Sequence, residues 1–198
     1  MSEHYYTAKP TVEHNLRIIE DELRGHKLKF KTDAGVFSKT SIDYGSQLLI
    51  ECLQLPDEAR VLDMGCGYGP IGLSAALIAT AGVVTMADVN ERALQLAIDN
   101  AQLNHITNVR MVKSNLFDGL LGEMFTHIVT NPPIRAGKQV VHQLFDEAYD
   151  HLEEMGELWI VIQKKQGAAS AFSKLEQRFM RVDEIEKSKG YRIIRATK

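Results

Sequence analysis

After about residue 45, short runs of apolar and β-branched residues alternate with stretches in which apolar residues recur every three or four positions. Runs of the first kind predict strands buried on both faces of a sheet, and stretches of the second kind predict helices that pack on that sheet. The predicted strands are 60–64, 83–88, 109–113, 125–130 and 157–163, and the predicted helices are 71–80, 91–103, 138–153 and 168–178. This alternation predicts an α/β fold with a mostly parallel, twisted sheet and helices on both faces.

The C-terminal end breaks the alternation. Residues 181–186 and 191–196 are two strand-like runs, and the sequence Lys-Ser-Lys-Gly at 187–190 is typical of a turn. Two such runs joined by a short turn with glycine predict an antiparallel hairpin. We expect this hairpin to extend the sheet.

The N-terminal end fits no strand-helix unit. It is polar with a helical pattern over 12–23 and then extended, with Gly35 and Gly45 as break points. We expect one domain over the whole chain, in which 1–45 form a lid over the carboxyl edge of the sheet and 46–198 form the core.

Composition narrows the class of protein. Of 198 residues, 44% are hydrophobic and 25% are charged, as in globular proteins, and the formal net charge of −3 excludes a uniformly basic surface that coats nucleic acid. Cys52 and Cys66 are too few for a disulfide framework and lack the spacing of metal ligands. The chain shows no signal peptide and no apolar run long enough to span a bilayer. We therefore expect a cytoplasmic protein without metal or membrane partners.

The first predicted strand runs directly into a glycine-rich segment. Residues 61–72 have the sequence Val-Leu-Asp-Met-Gly-Cys-Gly-Tyr-Gly-Pro-Ile-Gly. Glycine lets the backbone turn sharply and approach a ligand with no side chain between them. Because α/β folds bind ligands at the carboxyl ends of their strands, this position favours a cofactor loop over a purely structural turn.

The same segment also contains the pattern of a dinucleotide-binding loop. Gly67, Gly69 and Gly72 fit G-x-G-x-x-G, and Asp88 lies about 20 residues further on, where an acid that binds ribose is expected. Two features argue against a nicotinamide dinucleotide. Gly67 comes two residues late for the tight turn that opens such a loop, and the carboxylate of Asp63 would repel a pyrophosphate. A cationic ligand suits this carboxylate better.

The glycine-rich segment resembles the first motif of the class I S-adenosylmethionine-dependent methyltransferases, which is an acid, one residue and then G-x-G-x-G. The resemblance implies a Rossmann-like fold, S-adenosylmethionine as cofactor, and cofactor contacts from Asp63, Gly65, Cys66, Gly67 and Gly69. The family's second motif, an acid that ends the second strand, corresponds to Asp88, which the resemblance assigns to the two ribose hydroxyls. The alternative role for Asp88 is a helix N-cap, which Asn90 can also provide.

Residues after the second and third predicted strands complete the implied cofactor site, through Val89, Asn115 and Leu116. The family often carries an acid after strand three that accepts from the adenine amino group. Asn115 can accept through its carbonyl oxygen but carries no charge, so its contact is weaker. Phe117 either packs on the adenine or belongs to the core.

A second motif, Asn131-Pro132-Pro133, follows the predicted strand 125–130. Two prolines keep the chain extended and remove two backbone donors, which leaves carbonyl groups free to accept. A conjugated amine is a poor nucleophile because its lone pair is delocalised. If the Asn131 side-chain oxygen and the Pro132 carbonyl accept its two protons, the nitrogen can pyramidalise, and both acceptors favour the positive charge that develops on it.

This motif resembles the signature of methyltransferases that act on exocyclic base amines or on the glutamine amide. The resemblance implies a catalytic segment of Asn131, Pro132, Pro133 and Ile134, with Asn131 also close to the cofactor. Most relatives have Tyr or Phe at the position of Ile134, where it stacks on a flat acceptor. Here the stacking must come from elsewhere, for example from Phe37, or be weaker.

A closer resemblance covers nearly the whole chain. The segments 35–38 (Gly-Val-Phe-Ser), 42–49 (Ile-Asp-Tyr-Gly-Ser-Gln-Leu-Leu) and 131–138 (Asn-Pro-Pro-Ile-Arg-Ala-Gly-Lys) are similar to those of the small-subunit ribosomal RNA guanine-N2 methyltransferases. Those bacterial enzymes often have an extra N-terminal domain. This chain resembles a single-domain branch, whose substrate the resemblance does not define.

Charge placement points to a phosphate-rich substrate. Residues 24–39 carry a net charge of +4, from Arg24, Lys27, Lys29, Lys31 and Lys39 against Asp33. Further cations follow the predicted strands four and five, namely Arg135, Lys138, Lys164 and Lys165. Because these strand ends share one edge of a parallel sheet, we expect a positive rim that binds a phosphate backbone. The alternative is ordinary solvated Lys and Arg.

The leading hypothesis is an enzyme that methylates an exocyclic base nitrogen in RNA, first of all guanine N2 of ribosomal RNA. Its partner would be RNA or a ribosomal particle, and the chain would act as a monomer or homodimer. The main rival is methylation of a protein glutamine, which uses the same Asn-Pro-Pro geometry. A non-catalytic binding module that keeps the fold is the third hypothesis, and the intact Asp63, Asp88 and Asn131 argue against it.

Overall fold

The computed structural model of the protein describes residues 12–198. Residues 1–11, which belong to the predicted lid, lie outside the described residues. The strands are β1 (Arg17–Leu23), β2 (His26–Thr32), β3 (Arg60–Met64), β4 (Val83–Asp88), β5 (Val109–Lys113), β6 (Phe125–Thr130), β7 (Leu152–Gln163), β8 (Arg181–Ser188) and β9 (Tyr191–Thr197). The helices are α1 (Tyr44–Cys52), α2 (Pro70–Ile78), α3 (Glu91–Leu103), α4 (Lys138–His151) and α5 (Ala168–Leu175), with short 3-10 turns at Ile134–Ala136 and Lys164–Gln166.

Seven of these strands form one sheet in the order β5-β4-β3-β6-β7-β9-β8. Strands β3 to β7 pair in parallel, whereas β9 is antiparallel to both β7 and β8. The predicted fold class, including the C-terminal hairpin, is therefore confirmed. The chain builds the sheet outward from β3 to β5 and then returns to the other side of β3 with β6, which opens a crevice at the carboxyl ends of these strands.

The helices cover the two faces of this sheet and create two apolar clusters. One cluster holds residues of α1, α2 and α3, such as Leu49, Leu73 and Ala97, and the other holds residues of α4 and α5, such as Phe145 and Leu175. Both faces of β3, β4 and β6 are therefore buried, as their continuous apolar runs predicted. Burial on both faces is wrong for β5, which lies at the edge of the sheet and has no fully buried residue. None of the helices within residues 12–198 combines the length and the apolar character that crossing a bilayer requires.

The predicted bounds of four strands, β3 to β6, and of α3 are confirmed. The largest shift in the core is at β7, which begins at Leu152, five residues before the predicted start, so that α4 ends at His151. Leu152 is fully buried and pairs with Phe125 of β6 across a register shift. Pairing in the sheet thus draws the chain out of the helix before the helical periodicity ends.

The helical prediction for 12–23 is wrong, because β1 pairs with β2 as a separate antiparallel hairpin. Ile19 and Leu23 lie four positions apart, a spacing that suits one helical turn and also two repeats of a strand. Gly45 is not a break point either, since it lies inside α1, which begins at Tyr44. A Cβ at Gly45 would come within 2.7 Å of Cε1 of Tyr191, so this glycine allows close packing of α1 against β9.

The predicted lid covers the carboxyl edge of the sheet only in part. Strand β2 lies along α3, where Asn100 Oδ1 accepts from Lys31 N at 2.6 Å and Asn104 Oδ1 accepts from Lys29 N at 2.9 Å. The chain then crosses to the carboxyl edge in the segment that precedes α1. The β1–β2 hairpin therefore packs against α3 at the side of the domain, and the segment 36–46 is the part that reaches the crevice.

Candidate active site

A cavity of about 400 Å³ opens at the carboxyl ends of β3, β4, β5 and β6. Four parts of the chain contribute to its lining: the segment 36–46, the glycine loop and start of α2 at 64–71, residues 88–93 and 114–116 after β4 and β5, and residues 131–144 after β6. A cavity of this size at the point where the strand order reverses is the expected place for a cofactor in an α/β fold.

The glycine loop is held in place from below by β4. The N–H groups of Gly65 and Cys66 donate to the Ala87 carbonyl oxygen at 2.8 and 3.0 Å, and Gly67 N donates to Asp88 Oδ2 at 2.8 Å. Gly65 and Gly67 have positive φ angles of 74° and 56°, which disfavour any residue with a side chain. Built Cβ atoms at both positions would meet nothing within 4 Å, so the backbone of the loop faces open space.

Gly69 and Cys66 have supporting roles in the same loop. Gly69, the N-cap of α2, lies outside the cavity lining, and a Cβ there would come 2.9 Å from Met86 Cε. Cys66 lines the cavity but is buried, and burial raises the pKa of its thiol well above the ordinary value. The thiol is thus unreactive.

In the described part of the chain, no group of three or more His, Cys, Asp or Glu side chains could hold a metal ion.

Asp88 lines the cavity at the end of β4. Its Oδ1 accepts from Asn90 N at 2.9 Å, and its Oδ2 accepts from the glycine loop. Burial raises the pKa of Asp88, while the backbone N–H groups of Asn90, Gly67 and Val89 lower it. The cap of α3 is Asn90, whose side chain accepts from Arg92 N and Ala93 N, so Asp88 is not needed as the N-cap.

Asp63 lies beneath the loop rather than in the cavity wall. Its side chain is fully buried; Oδ2 accepts from Gly72 N at 2.7 Å, and Oδ1 finds no hydrogen-bond partner among the described residues. Burial raises the pKa of Asp63 to about 7, the Gly72 N–H opposes that shift, and the carboxylate of Asp88 adds to it. The direct cofactor contact predicted for Asp63 therefore has no support in its position, because the loop lies between its carboxyl group and the cavity.

The residues after β4 and β5 form one side of the cavity. Val89, Asn115 and Leu116 all line it, and Leu116 adopts a positive φ of 49°. Phe117 is buried and stacks on the ring of His151, with centroids 4.6 Å apart. Phe117 is therefore a core residue and does not face a ligand.

Asn131 lines the cavity from the end of β6, and its orientation is set by the start of α1. Its Nδ2 donates to Ser46 Oγ at 3.1 Å and lies 3.4 Å from Asp43 Oδ1. Asp43 is also the N-cap of α1, where its side chain accepts from Ser46 N. Because the amide nitrogen faces these oxygens, the amide oxygen of Asn131 is the atom that remains for a ligand. Sequence reasoning missed both partners, although the segment 42–49 had drawn attention through its resemblance.

The sequence had suggested that the two prolines leave carbonyl groups free to accept. This prediction is wrong, because both proline carbonyl groups already accept backbone hydrogen bonds. The Pro132 carbonyl accepts from Ile134 N at 2.8 Å, and the Pro133 carbonyl accepts from Ala136 N at 2.9 Å. Pro133 lines the cavity, whereas Pro132 is buried and lies outside the lining. Ile134 packs against the apolar cluster under α4 and also lies outside the lining.

Phe37 is the aromatic side chain of the segment before α1 that reaches the cavity. It lines the opening and is 40% exposed. Phe37 therefore borders the cavity, whereas Ile134 does not.

Three of the cations predicted to form a positive rim do not lie at the cavity. Arg24 donates to carbonyl groups at the C-terminal end of α1, at the edge of the sheet opposite to the cavity. Lys29 pairs with Glu20 at 3.1 Å and Lys31 pairs with Asp99 at 3.1 Å. The prediction of a basic lid is thus wrong for these three cations, because the hairpin points them away from the cavity.

The cations after the strands lie at the carboxyl edge, outside the cavity lining. Arg135, Lys138, Lys164 and Lys165 are all exposed. The turn between β8 and β9 adjoins these cations, because Lys164 N donates to the Gly190 carbonyl at 2.8 Å. The rim predicted from the sequence did not include this turn.

This turn brings Lys189 to α1 and so to the edge of the cavity. Lys189 Nζ lies 4.4 Å from the ring centroid of Tyr44, and the Tyr44 hydroxyl lies 2.8 Å from Ser188 Oγ. The neighbour of Tyr44 in the chain is Asp43, which lines the cavity. Three exposed lysines, Lys164 and Lys165 after β7 and Lys189 in the turn, therefore lie at the same edge of the sheet as the cavity.

Comparisons with known proteins agree with this geometry. A family model described as "Methyltransferase small domain" matches residues 27–195. The chain is 52% identical over its whole length to the uncharacterized protein YbxB of Bacillus subtilis (strain 168), of which it also covers 100%. It is 34% identical, over 72% of its length, to the ribosomal RNA small subunit methyltransferase C of Hamiltonella defensa, and covers 44% of that protein.

A solved structure supports the fold independently. The T. thermophilus 16S rRNA N2 G1207 methyltransferase (RsmC), solved in complex with AdoMet and guanosine, superposes with a TM-score of 0.84 at 24% identity. The match covers 96% of this chain and 52% of that one, so the chain spans about half the length of the ribosomal RNA methyltransferases described here.

Proposed function

The chain belongs to the methyltransferase small domain family, and from this premise we propose that it methylates an exocyclic amino nitrogen of a base in RNA. Its methyl donor is S-adenosylmethionine, and the leading acceptor is guanine N2 of ribosomal RNA. The observation that carries the proposal is that Asn131 and the glycine loop line one cavity, so an acceptor amine and a bound cofactor would meet there.

The residues around the cavity fit S-adenosylmethionine, which supplies a methyl group on a positively charged sulfur. The open space along Gly65 and Gly67 leaves room for a ligand against the loop backbone. Asp88 would hold the two ribose hydroxyls through charge-assisted hydrogen bonds. Val89 and Leu116 offer apolar contact surfaces for the adenine.

Asn131 binds and orients the acceptor amine. Its amide oxygen accepts a hydrogen bond from the amine, which turns the nitrogen lone pair away from conjugation and favours the positive charge that grows on nitrogen. The Pro132 carbonyl, to which the motif assigns the other N–H, accepts from Ile134 N, and Pro132 lies outside the cavity lining, so the geometry supports Asn131 rather than Pro132 at the amine. Phe37 would stack on the base and hold its plane, which supplies part of the alignment.

Exposed cations at the carboxyl edge support RNA as the substrate. Arg135 and Lys138 follow β6, and Lys164 and Lys165 follow β7, so all four exposed cations lie at the edge of the sheet where the cavity opens. Cations in this position suit a phosphate backbone. A protein glutamine presents the same kind of NH₂ group to Asn131 but brings no phosphates for these cations. The rim therefore favours RNA over a glutamine side chain.

Replacing Asn131 with Ala tests the mechanism by separating binding from chemistry. Because Asn131 is assigned to the acceptor, Asn131→Ala should bind S-adenosylmethionine nearly as tightly as the parent in calorimetry. Methyl transfer to RNA should fall at least about a hundredfold, the scale of one lost transition-state hydrogen bond.

Asn104→Ala is the matched control, since Asn104 contacts the backbone of Lys29 at the C-terminal end of α3, far from the cavity. It should leave the transfer rate unchanged. Equal losses of binding and of transfer in Asn131→Ala would show that Asn131 serves the cofactor, and full retention of transfer would remove the proposed mechanism.

A further inference from the structure

Asp43 is a cavity-lining acid to which neither the motifs nor the comparisons assign a role. Among the described residues, two carboxylates line the cavity, Asp43 and Asp88. Asp88 lies at the glycine loop, whereas Asp43 lies beside Asn131, with Oδ1 and Oδ2 at 3.4 and 3.5 Å from Asn131 Nδ2. The carboxylate of Asp43 is thus next to the group that handles the acceptor amine.

The two oxygens of the Asp43 carboxylate differ in the hydrogen bonds that they accept. Oδ1 accepts from Ser46 N at 3.2 Å as the cap of α1, and it also faces the Asn131 amide. Within residues 12–198, the hydrogen-bond contact found for Oδ2 is the long one to Asn131 Nδ2, at 3.5 Å. Since each carboxylate oxygen can accept two hydrogen bonds, Oδ2 has capacity for a donor on a ligand.

The cavity therefore presents two neighbouring acceptors, Oδ1 of Asn131 and Oδ2 of Asp43. Of the bases that carry an exocyclic amine, guanine matches this pair, because its N2 amine stands beside the N1–H donor. In adenine and in cytosine the ring nitrogen next to the amine is an acceptor with a lone pair, which a carboxylate would repel.

We propose that Asp43 is a specificity residue that reads guanine, with its Oδ2 accepting from N1–H while Asn131 accepts from N2. This inference rests on the proposed function and names the residue that selects its base. A charge-assisted hydrogen bond to N1–H is stronger than a neutral one. Sites built to bind a donor also reject analogues that lack it, because their acceptor is left unpaired.

Asp43→Asn isolates this role from the structural one. Asn caps a helix as well as Asp does, so α1 keeps its cap, and the Asn carbonyl can still face the amide of Asn131. The variant loses the negative charge and places an NH₂ donor where the carboxylate accepted. A purely structural role would therefore leave base selection unchanged.

The experiment uses an RNA oligonucleotide with one guanine that the parent methylates, located by nucleoside mass spectrometry. The same oligonucleotide is made with 2-aminopurine at that position, which keeps the N2 amine but has a lone pair at N1. The parent should prefer guanine in kcat/KM by roughly tenfold to a hundredfold, the worth of one charged hydrogen bond. Asp43→Asn should reduce that preference at least about tenfold, with unchanged S-adenosylmethionine affinity.

Asp57→Asn is the matched control, because Asp57 is exposed and precedes β3 at the opposite edge of the sheet, and it should keep the parent's preference. If Asp43→Asn lowers both substrates equally, Asp43 only positions Asn131 and the proposal is overturned. It is equally overturned if the parent accepts both bases alike. A parent that methylates no guanine in RNA contradicts the proposed function itself, which is a different and separately visible result.

Discussion

The carboxyl group of Asp63 shows how strongly the environment beneath the glycine loop acts on a single residue. Its pKa is raised from 3.8 to about 7, chiefly by burial, even though the Gly72 N–H stabilises the charged form. Between these two values the folded protein holds a proton that the unfolded chain has lost. The free energy of unfolding must therefore fall as the pH rises through this interval.

Asp63→Asn removes this titration and gives a prediction at the residue scale. The stability of the variant relative to the parent should increase between pH 4.5 and pH 7.5, by as much as about 3 kcal/mol, the part of the pKa shift that falls within this window. Urea unfolding at a series of pH values measures the difference. Asp57→Asn, an exposed control, should run parallel to the parent, and a parallel curve for Asp63→Asn would contradict the predicted burial effect.

Asp43 and Asn131 are two site residues whose roles depend on a contact that the sequence does not reveal. They are 88 positions apart in the sequence, and their contact depends on α1 starting beside the end of β6. Each residue is plausible as a surface polar residue when taken alone. The fold brings Asp43 and Ser46 to Asn131, where both orient its amide, and the proposed role of Asp43 in base selection depends on that contact.

At the scale of elements, α3 holds the β1–β2 hairpin to the core through two asparagines one helical turn apart. Asn100 accepts from Lys31 N and donates to the Lys31 carbonyl at 3.0 Å and to the Tyr68 carbonyl at 2.9 Å. Asn104 forms the equivalent pair of bonds with the backbone of Lys29. The first of these asparagines also supports the glycine loop, because Tyr68 belongs to it.

The two asparagines differ in burial, and this difference yields a prediction. Asn100 is fully buried, so Asn100→Ala would leave the groups it bonds without partners and should lower the free energy of unfolding by roughly 3 kcal/mol. Asn104 is half-buried, so water can replace its side chain, and Asn104→Ala should cost about 1 kcal/mol or less. Chemical denaturation of both variants tests this, and equal losses would contradict it.

For the whole molecule, the decisive property is where its charges lie rather than their sum. The net charge is −3, yet the carboxyl edge carries Lys164 and Lys165 on a 3-10 turn, Lys187 at the end of β8 and Lys189 in the β8–β9 turn. In the β1–β2 hairpin, by contrast, Lys29 and Lys31 pair with acids, and Arg24 donates to carbonyl groups at the C-terminal end of α1. A phosphate backbone is therefore expected to approach from the carboxyl edge.

The salt dependence of RNA binding tests this expectation. Lys164→Ala/Lys165→Ala should reduce the slope of log K against log salt by up to about 1.4, since each phosphate contact on a single strand contributes about 0.7. It should raise the KM for RNA without changing the affinity for S-adenosylmethionine.

Lys27→Ala/Lys29→Ala is the matched pair for this test. Both lysines are exposed on β2, and Lys29 lies beside the C-terminal end of α3, at the edge opposite to the cavity. This control should leave the slope unchanged. A Lys164→Ala/Lys165→Ala variant that methylates RNA as the parent does at every salt concentration would rule out the rim.

Local sequence was sufficient for the parts of the molecule whose conformation is determined within a few residues. Buried parallel strands are apolar throughout, so β3 to β6 could be bounded from their runs, and the glycine loop and Asn131-Pro132-Pro133 could be recognised at strand ends. Because parallel strands share a carboxyl edge, the sequence also predicted that these two motifs would meet. The comparisons confirmed the family and the cofactor.

Tertiary structure decided whatever depends on contacts between distant segments. The spacing of Ile19 and Leu23 suits a helix and a strand alike, and pairing with β2 selected the strand. The place of Asp63 beneath the loop, the partners of Asn131 and the approach of Lys189 to Tyr44 all depend on how helices and strands pack. Packing and strand register are properties of the folded chain as a whole, so no local pattern encodes these contacts.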